Sequence, residues 1–483
     1  MAESDGRTDP ESPYAAMRSR KLSLLIPLIV AFAFLMEQLD STIVTTAIPA
    51  MARSLGVGAL QMSAAVTSYI LSLAVFIPLS SWVADRFGTR RVFALALLIF
   101  TAASALCGLA QSLPALVAMR VLQGFGGAMT TPVGRLILLR AFPREQLVRA
   151  MTYMSIPAII GPTIGPILGG VLTTYANWRW VFYVNVPIGI VGILLALRFV
   201  EDTRVARPAR FDVAGFALCG IGLGLMQFGI ENLRHLVLPR GVVIGLASAG
   251  VLLLAGYVPY ARNRPGAALD LSLFSIRTFR ISTLVGGLSR TGVNAVPFML
   301  PLLFQIGFGL SAVQSGLLTF ISSTSALAVR PVSAWLLRRL GFRRLLAGNG
   351  VVCAGVIASF AAVEAGTPHW VDFLMVLLFG LVRSVQFMMT NTLTYSDTPA
   401  AKLSNSTALG GVIQQLTVSF GVSLAAVLLG AIAGPGRQPD VGDFHAAFLL
   451  VALITLLSAP GFLALREDDA QHVSGYRRAE SPA

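Results

Sequence analysis

Charge is what this chain has least of. Lys, Arg, Asp and Glu make up 12% of its 483 residues, against about 25% in ordinary soluble domains. With 55% hydrophobic residues and a mean hydropathy of +0.76, it lacks the polar surface that two or three soluble domains of this total length need. Cysteine is nearly absent. Cys107, Cys219 and Cys353 fall inside apolar stretches without metal-like spacing, so they read as small buried hydrophobes. The four histidines, His235, His369, His445 and His472, are scattered and form neither a metal site nor a catalytic group. No P-loop is present. An enzyme is therefore not expected and no cofactor is implied. Any uphill work has to draw on an ion gradient, unless a separate ATPase subunit supplies it.

Long apolar runs are what the chain has in abundance. A hydrocarbon core needs about 20 residues per spanning helix, and fourteen stretches qualify: 22–48, 60–83, 92–112, 114–139, 150–174, 180–199, 211–230, 241–260, 281–307, 312–337, 345–364, 370–395, 405–433 and 444–465. Most links between them are too short for a separate soluble domain. Residues 1–21 and the tail after Leu465 are polar and are expected to be unstructured. The first apolar run is too long for a signal peptide and lacks a clear cleavage site.

The basic residues give an independent check. With the N-terminus placed in the cytoplasm, the inner segments hold 26 Lys and Arg, counting Arg198 at the end of the sixth span. The outer loops hold five, Arg53, Arg179, Arg234, Arg240 and Arg437, and the other five lie within spans. This is the positive-inside bias of a multi-pass bacterial inner-membrane protein with both termini cytoplasmic. The net charge of +14 is then mostly a topology signal, and nucleic acid is not an expected partner.

The chain also repeats itself. "SWVADRFGTRR" (81–91) follows the second span and "AWLLRRLGFRR" (334–344) the tenth, at an offset of 253. Arg120-Val-Leu-Gln123 in the fourth span is echoed by Arg383-Ser-Val-Gln386 in the twelfth. Two matches in corresponding order indicate two pseudo-symmetric six-helix bundles, 22–200 and 281–465, around two inserted helices in 201–280, with tails at 1–21 and 466–483. Parallel repeats of this kind are a transporter architecture, with the substrate site near the midplane between them.

Five motifs in order carry a family resemblance over essentially the whole chain. "SWVADRFGTRR" resembles the loop signature of the major facilitator superfamily, and "RVLQGFGGAM" (120–129) its fourth-helix motif. "GPTIGPILGG" (161–170) is similar to the fifth-helix antiporter motif. "LDSTIVTTAIP" (39–49) and "WRWVFYVNVPIG" (178–189) resemble the 14-helix drug:proton antiporter branch. The resemblance implies an all-α polytopic membrane fold, and a proton-coupled antiporter that exports small lipophilic or cationic compounds. Three departures stand out: Ser81 replaces the usual opening Gly, Thr46 stands where branch members often have Asn, and Arg338 replaces Asp85 in the second loop copy.

The resemblance implies a conformational latch at Asp85, Arg86, Gly88, Arg90 and Arg91; positive-inside residues are the plainer reading. In the fifth span Gly161, Gly165 and Gly169 recur every four residues. They form a ridge that lets backbones approach, and Pro162, Pro166 and Gly170 beside them suit a bendable interface helix.

Charges inside spans are functional candidates, here Glu37, Asp40, Arg120, Arg290 and Arg383. Arg135 and Arg330 lie near inner ends, where they can snorkel, and Glu231 and Glu364 at outer ends are expected to be solvated. Glu37 and Asp40 are three apart, on one helix face. Each costs about 2.5–3.5 kcal/mol if ionised near the bilayer centre. Burial, a second acid and a nearby arginine pull a carboxyl's proton affinity in opposing directions, a balance that can poise Glu37 or Asp40 to load and release protons. By the 253 offset Arg290 matches Glu37, so it is expected to face the first-helix acids across the cavity. Structural ion pairs are the alternative. Gln38, Thr42, Gln123, Asn294, Gln305, Arg383, Gln386 and Asn391 are the expected substrate-cavity residues. Symport, sodium coupling, an endogenous metabolite as substrate and a non-transporting sensor are the competing readings. Substrate identity and any periplasmic adaptor protein are not written in the sequence.

Overall fold

A computed structural model of the chain describes residues 13–142, 144–204, 211–232, 239–262, 264, 266–399, 402–434 and 437–474. Helix is the only regular structure among them, as fourteen α-helices, a last helical turn at Gln471–Ser474, and short 3-10 and π turns. In order these are α1 (Pro13–Leu55), α2 (Ser63–Phe87), α3 (Thr89–Leu109), α4 (Leu113–Ala141), α5 (Arg144–Tyr175), the single turn α6 (Trp180–Tyr183), α7 (Asn185–Phe199), α8 (Val213–Asn232), α9 (Arg240–Arg262), α10 (Arg277–Leu302), α11 (Ala312–Ser359), α12 (His369–Ser396), α13 (Leu403–Ala433) and α14 (Val441–Ser458). Each of the fourteen apolar stretches falls on helix. α6 and α7 together make one of them, and α11 makes two, its arms meeting at Gly341 with φ +67°.

Among the described residues ten segments are long and apolar enough to span a membrane by length and composition alone. The rest are α4, α5, α10 and the first arm of α11. α4 carries Arg120, Arg135 and Arg140, and α10 carries Arg277, Arg280 and Arg290. In α4 and α10 these arginines lower the mean hydropathy, so a purely apolar criterion passes over those two helices.

The packing follows the sequence repeat. α1 lies along α5, α2 along α4, and α3 along α4 and α7. In the second half α10 lies along α13 and α14, and α11 along α12 and α14. α8 and α9 pair with each other, and α8 rests on α2. The halves meet through α2 against α13 and α5 against α11.

One end of the bundle holds the α2–α3 turn at Gly88, the other the α5–α6 turn at Trp178. At the Trp178 end the halves close tightly. Gln305 Nε2 donates to the Thr46 carbonyl at 3.0 Å. A Cβ on Gly170 would lie 2.5 Å from the Ala312 carbonyl oxygen, so only glycine permits that approach. α10 ends there in Pro297, Pro301 and a π turn, Leu303–Gly307.

Two expectations about the ends need correction. Residues 13–21 continue α1 as helix; residues 1–12 lie outside the described residues. Residues 466–474 fold back on the second half instead of remaining unstructured. Arg344 pairs with Glu467 at 3.3 Å and Arg277 with Asp469 at 3.6 Å, because the polar tail supplies acids to a cluster of loop arginines.

Candidate functional site: a charged network and a central cavity

α5 brings the site together. A Cβ on Gly161 would meet Gln38, one on Gly165 would meet Thr42, and one on Gly169 would meet Thr46 and the Ile43 carbonyl at 2.4 Å. The ridge of small residues therefore seats directly on the Gln38–Thr42–Thr46 face of α1, as four-residue spacing on both helices requires. Gly169→Val is expected to cost about 1–3 kcal/mol through overpacking, read as a lower unfolding temperature. Gly224→Val is the control, since nothing lies within 4 Å of a Cβ there.

Asp40 is sealed inside the first half. It is 0% exposed and Arg120 1%. Arg120 Nη1 donates to Asp40 Oδ2 at 2.6 Å, and Gln123 Nε2 and Asn185 Nδ2 donate to Oδ1 at 2.8 and 2.9 Å. Arg120 also donates to Gln123 Oε1 at 2.8 Å and, through Nε, to the Ala65 carbonyl at 3.1 Å. Its guanidinium lies 4.1 Å from the Tyr69 ring centroid. Asn185 Nδ2 reaches Ser104 Oγ at 3.1 Å, which donates to the Phe182 carbonyl. Five helices, α1, α2, α3, α4 and α7, thus share one neutralised charge pair.

Glu37 has a different fate. Positions three apart on a helix differ by about 60° in direction, enough to send Asp40 toward α4 and α7 while Glu37 borders the central cavity. Its one hydrogen bond among the described residues comes from Thr131 Oγ1, at 2.5 Å. The cavity is ≈ 270 Å³ and lies between the halves. Gln38, Ser41, Thr42, Thr45 and Tyr69 line it from the first half, and Asn294, Thr319, Ser322, Arg383, Gln414 and Gln415 from the second. Pro162 and Pro166 of α5 also border it.

The expected cavity set divides evenly. Gln38, Thr42, Asn294 and Arg383 line the cavity. Gln123, Gln305, Gln386 and Asn391 do not. Gln123 holds Asp40, and Gln305 ties α10's π turn to α1. Gln386 accepts from Asn349 and donates to Ser289. Asn391 accepts from Arg290 Nη2 at 2.8 Å. That bond overturns the expected pairing of Arg290 with the first-helix acids. α10's register turns Arg290 toward α12, where it also stacks 5.1 Å from the Phe387 ring centroid, and no acid lies within ion-pair distance of it among the described residues. Asp40 is corrected likewise: it belongs to the interior of the first half and not to the cavity wall.

At the Gly88 end, Asp85 pairs with Arg140 of α4 at 2.5 Å. Arg86 stacks on Trp82 and Phe87. Gly88 turns the chain at φ +99°, where a Cβ would strike the Asp202 carboxylate. Asp202 also pairs with Arg91 at 3.6 Å, and Arg90 makes no hydrogen bond or ion pair among the described residues. Arg135 is exposed; the Arg330 side chain lies outside the described residues. Glu364 is exposed as expected. Glu231 is not simply solvated: Thr67, Gln227 and Ser423 all donate to its Oε1, joining α8 to both halves. Asp202, Arg140, Asn185, Thr131 and the Gln414–Gln415 pair were not singled out from sequence. Asn185 and the glutamine pair carried a signal, as uncharged polar residues inside apolar spans.

With this arrangement in view, the comparisons with known proteins decide the family. The profile of the Major Facilitator Superfamily matches residues 30–422. The chain belongs to the major facilitator superfamily. Relatives include proteins named multidrug resistance protein MdtD. That of Serratia proteamaculans (strain 568) is 38% identical over 446 residues, covering 91% of this chain and 93% of the relative. That of Salmonella newport (strain SL254) is 37% identical over 457 residues, covering 94% and 97%. Solved structures of similar fold include a D-xylose-proton symporter, with TM-score 0.66 and 15% identity over 92% of this chain and 99% of that one. An auto-inhibited POT family peptide transporter has TM-score 0.66 and 18% identity over 96% and 99%. At such identities they show the fold alone. This major-facilitator chain is a multi-pass membrane transporter and not an enzyme.

Proposed function

We propose that the protein is a proton-coupled antiporter that exports small lipophilic or cationic compounds across the bacterial inner membrane. The observation that carries this reading is Glu37, the carboxylate on the cavity wall, held by a single hydroxyl. Asp40, three residues away, is already neutralised by Arg120. Glu37 binds a proton or a substrate's cationic group in the same space, so each displaces the other. Asp40 and Arg120 hold α1, α4 and α7 in register beneath it, and Arg290 braces α10 on α12.

The positive-inside bias makes the Gly88 end cytoplasmic. The contacts across Gly170 and Gln305 then close the outer side of the cavity. Exchange proceeds by rocking of the six-helix halves, 22–200 and 281–465, with α5 as the bending element and α8 and α9 as an inserted pair. Asp85 and Arg140 act as a latch that holds the first half together at the cytoplasmic end, assisted by Asp202 with Gly88 and Arg91. A half-buried pair at the protein surface contributes about 1 kcal/mol or less to stability. Asp85→Asn is therefore expected to slow transport severalfold while leaving the unfolding temperature unchanged.

Antiport itself is tested by substrate-induced proton efflux from acid-loaded proteoliposomes, with a panel of lipophilic cations, neutral drugs and small metabolites. Efflux with some compounds, lost in Glu37→Gln, is the expected result. Absence of proton movement despite measurable binding contradicts it and favours sodium coupling or a sensor.

A further inference from the structure

The two halves treat their buried arginines differently. Arg120 is neutralised by Asp40. Its echo in the repeat, Arg383, has no such acid: at the 253 offset the place of Asp40 is taken by Val293. Among the described residues Arg383 makes no hydrogen bond, ion pair or ring contact. Its partly buried side chain opens on the central cavity that Glu37 also lines. A guanidinium does not lose its proton in a protein, and leaving it unpaired at low dielectric is unfavourable. Asn294, Ser322, Gln414 and Gln415 line the same space, and they offer hydrogen bonds but no negative charge. The volume of ≈ 270 Å³ lies just below the usual range of ligand pockets, about 300–1,000 Å³. One compact molecule can therefore meet both charged groups.

We propose that the cavity takes compact amphoteric compounds, whose carboxylate or equivalent anionic group pairs with Arg383 while a basic nitrogen competes with the proton at Glu37. The anion seat stands on the unpaired cation alone; the competition at Glu37 rests on the antiport reading. A planar carboxylate matches the guanidinium fork with two parallel hydrogen bonds, which a lysine cannot reproduce.

The test is equilibrium binding to the purified full-length protein near neutral pH, comparing norfloxacin with its methyl ester. The pair differs only in the carboxylate. Wild type is expected to bind the acid at least about tenfold more tightly. Arg383→Gln is expected to abolish that preference, so that acid and ester bind alike, and Arg383→Lys to retain part of it. Equal binding of acid and ester by wild type, no binding of the acid, or a preference that survives in Arg383→Gln overturns the proposal. Proton movement in proteoliposomes, recorded with the same two compounds, separates the two readings. Movement without preference for the acid leaves antiport standing and removes the anion seat. Preference without movement does the reverse.

Discussion

Asp40→Ala is expected to cost about 3–5 kcal/mol of stability, because it strands the Arg120 guanidinium in a fully buried site without its counter-charge. Gln123 Nε2 loses its acceptor and Asn185 Nδ2 one of its two in the same change, which adds unsatisfied donors to the stranded cation. The measurement is thermal unfolding of the purified protein, with recovery of monodisperse material as the first indication. Removing both charges is the informative companion. Replacing a buried pair by apolar residues of similar volume is often neutral or stabilising, so Asp40→Leu with Arg120→Met is expected to recover much of what Asp40→Ala loses. If Asp40→Ala is as stable as wild type, the pair is not sealed from water and its structural role fails.

Glu37→Gln is expected to behave in the opposite way, sparing the fold and removing the coupling. Glutamine keeps an oxygen to accept from Thr131 and fits the same space, so stability changes little. One proton moving through 100 mV is worth about 2.3 kcal/mol, equivalent to about a 50-fold concentration ratio. A Glu37→Gln carrier that has lost one coupled proton is expected to forfeit about that factor in substrate accumulation at such a potential, while its equilibrium binding persists. Accumulation by Glu37→Gln at the wild-type level would show that the proton travels elsewhere.

The contrast between these neighbours shows what a sequence of this kind discloses. Helix positions were legible because a bilayer imposes a length and an apolar composition, and each of the fourteen stretches falls on helix. The ridge at Gly161, Gly165 and Gly169 was legible because close packing leaves few alternatives to small residues at that spacing. The direction of individual polar side chains was not. Glu37 and Asp40 share a helix face by spacing, yet a turn of about 60° separates cavity from interior. Arg290 matches Glu37 in the repeat, but its partner is set by α10's packing on α12, and pseudo-symmetry of backbone does not carry over to hydrogen bonds. Polarity and span position placed Gln38 and Asn294 on the cavity, but they do not distinguish such residues from Gln123 and Gln386, which face inward within their own halves. The contacts of Asp202 with Arg91 and of Glu467 with Arg344 were missed because these partners lie far away in sequence, at the ends of helices that the fold brings together.

The central claim is that substrate and proton compete at Glu37, and it is tested most directly by counting protons displaced on binding. A compound that the carrier transports is titrated into purified protein in weakly buffered detergent solution with a pH indicator, at a pH just above that at which Glu37 begins to ionise. Wild type is predicted to release protons on binding, and Glu37→Gln to bind the compound with no release. Equal release from both proteins would contradict the account and move the coupling site away from Glu37.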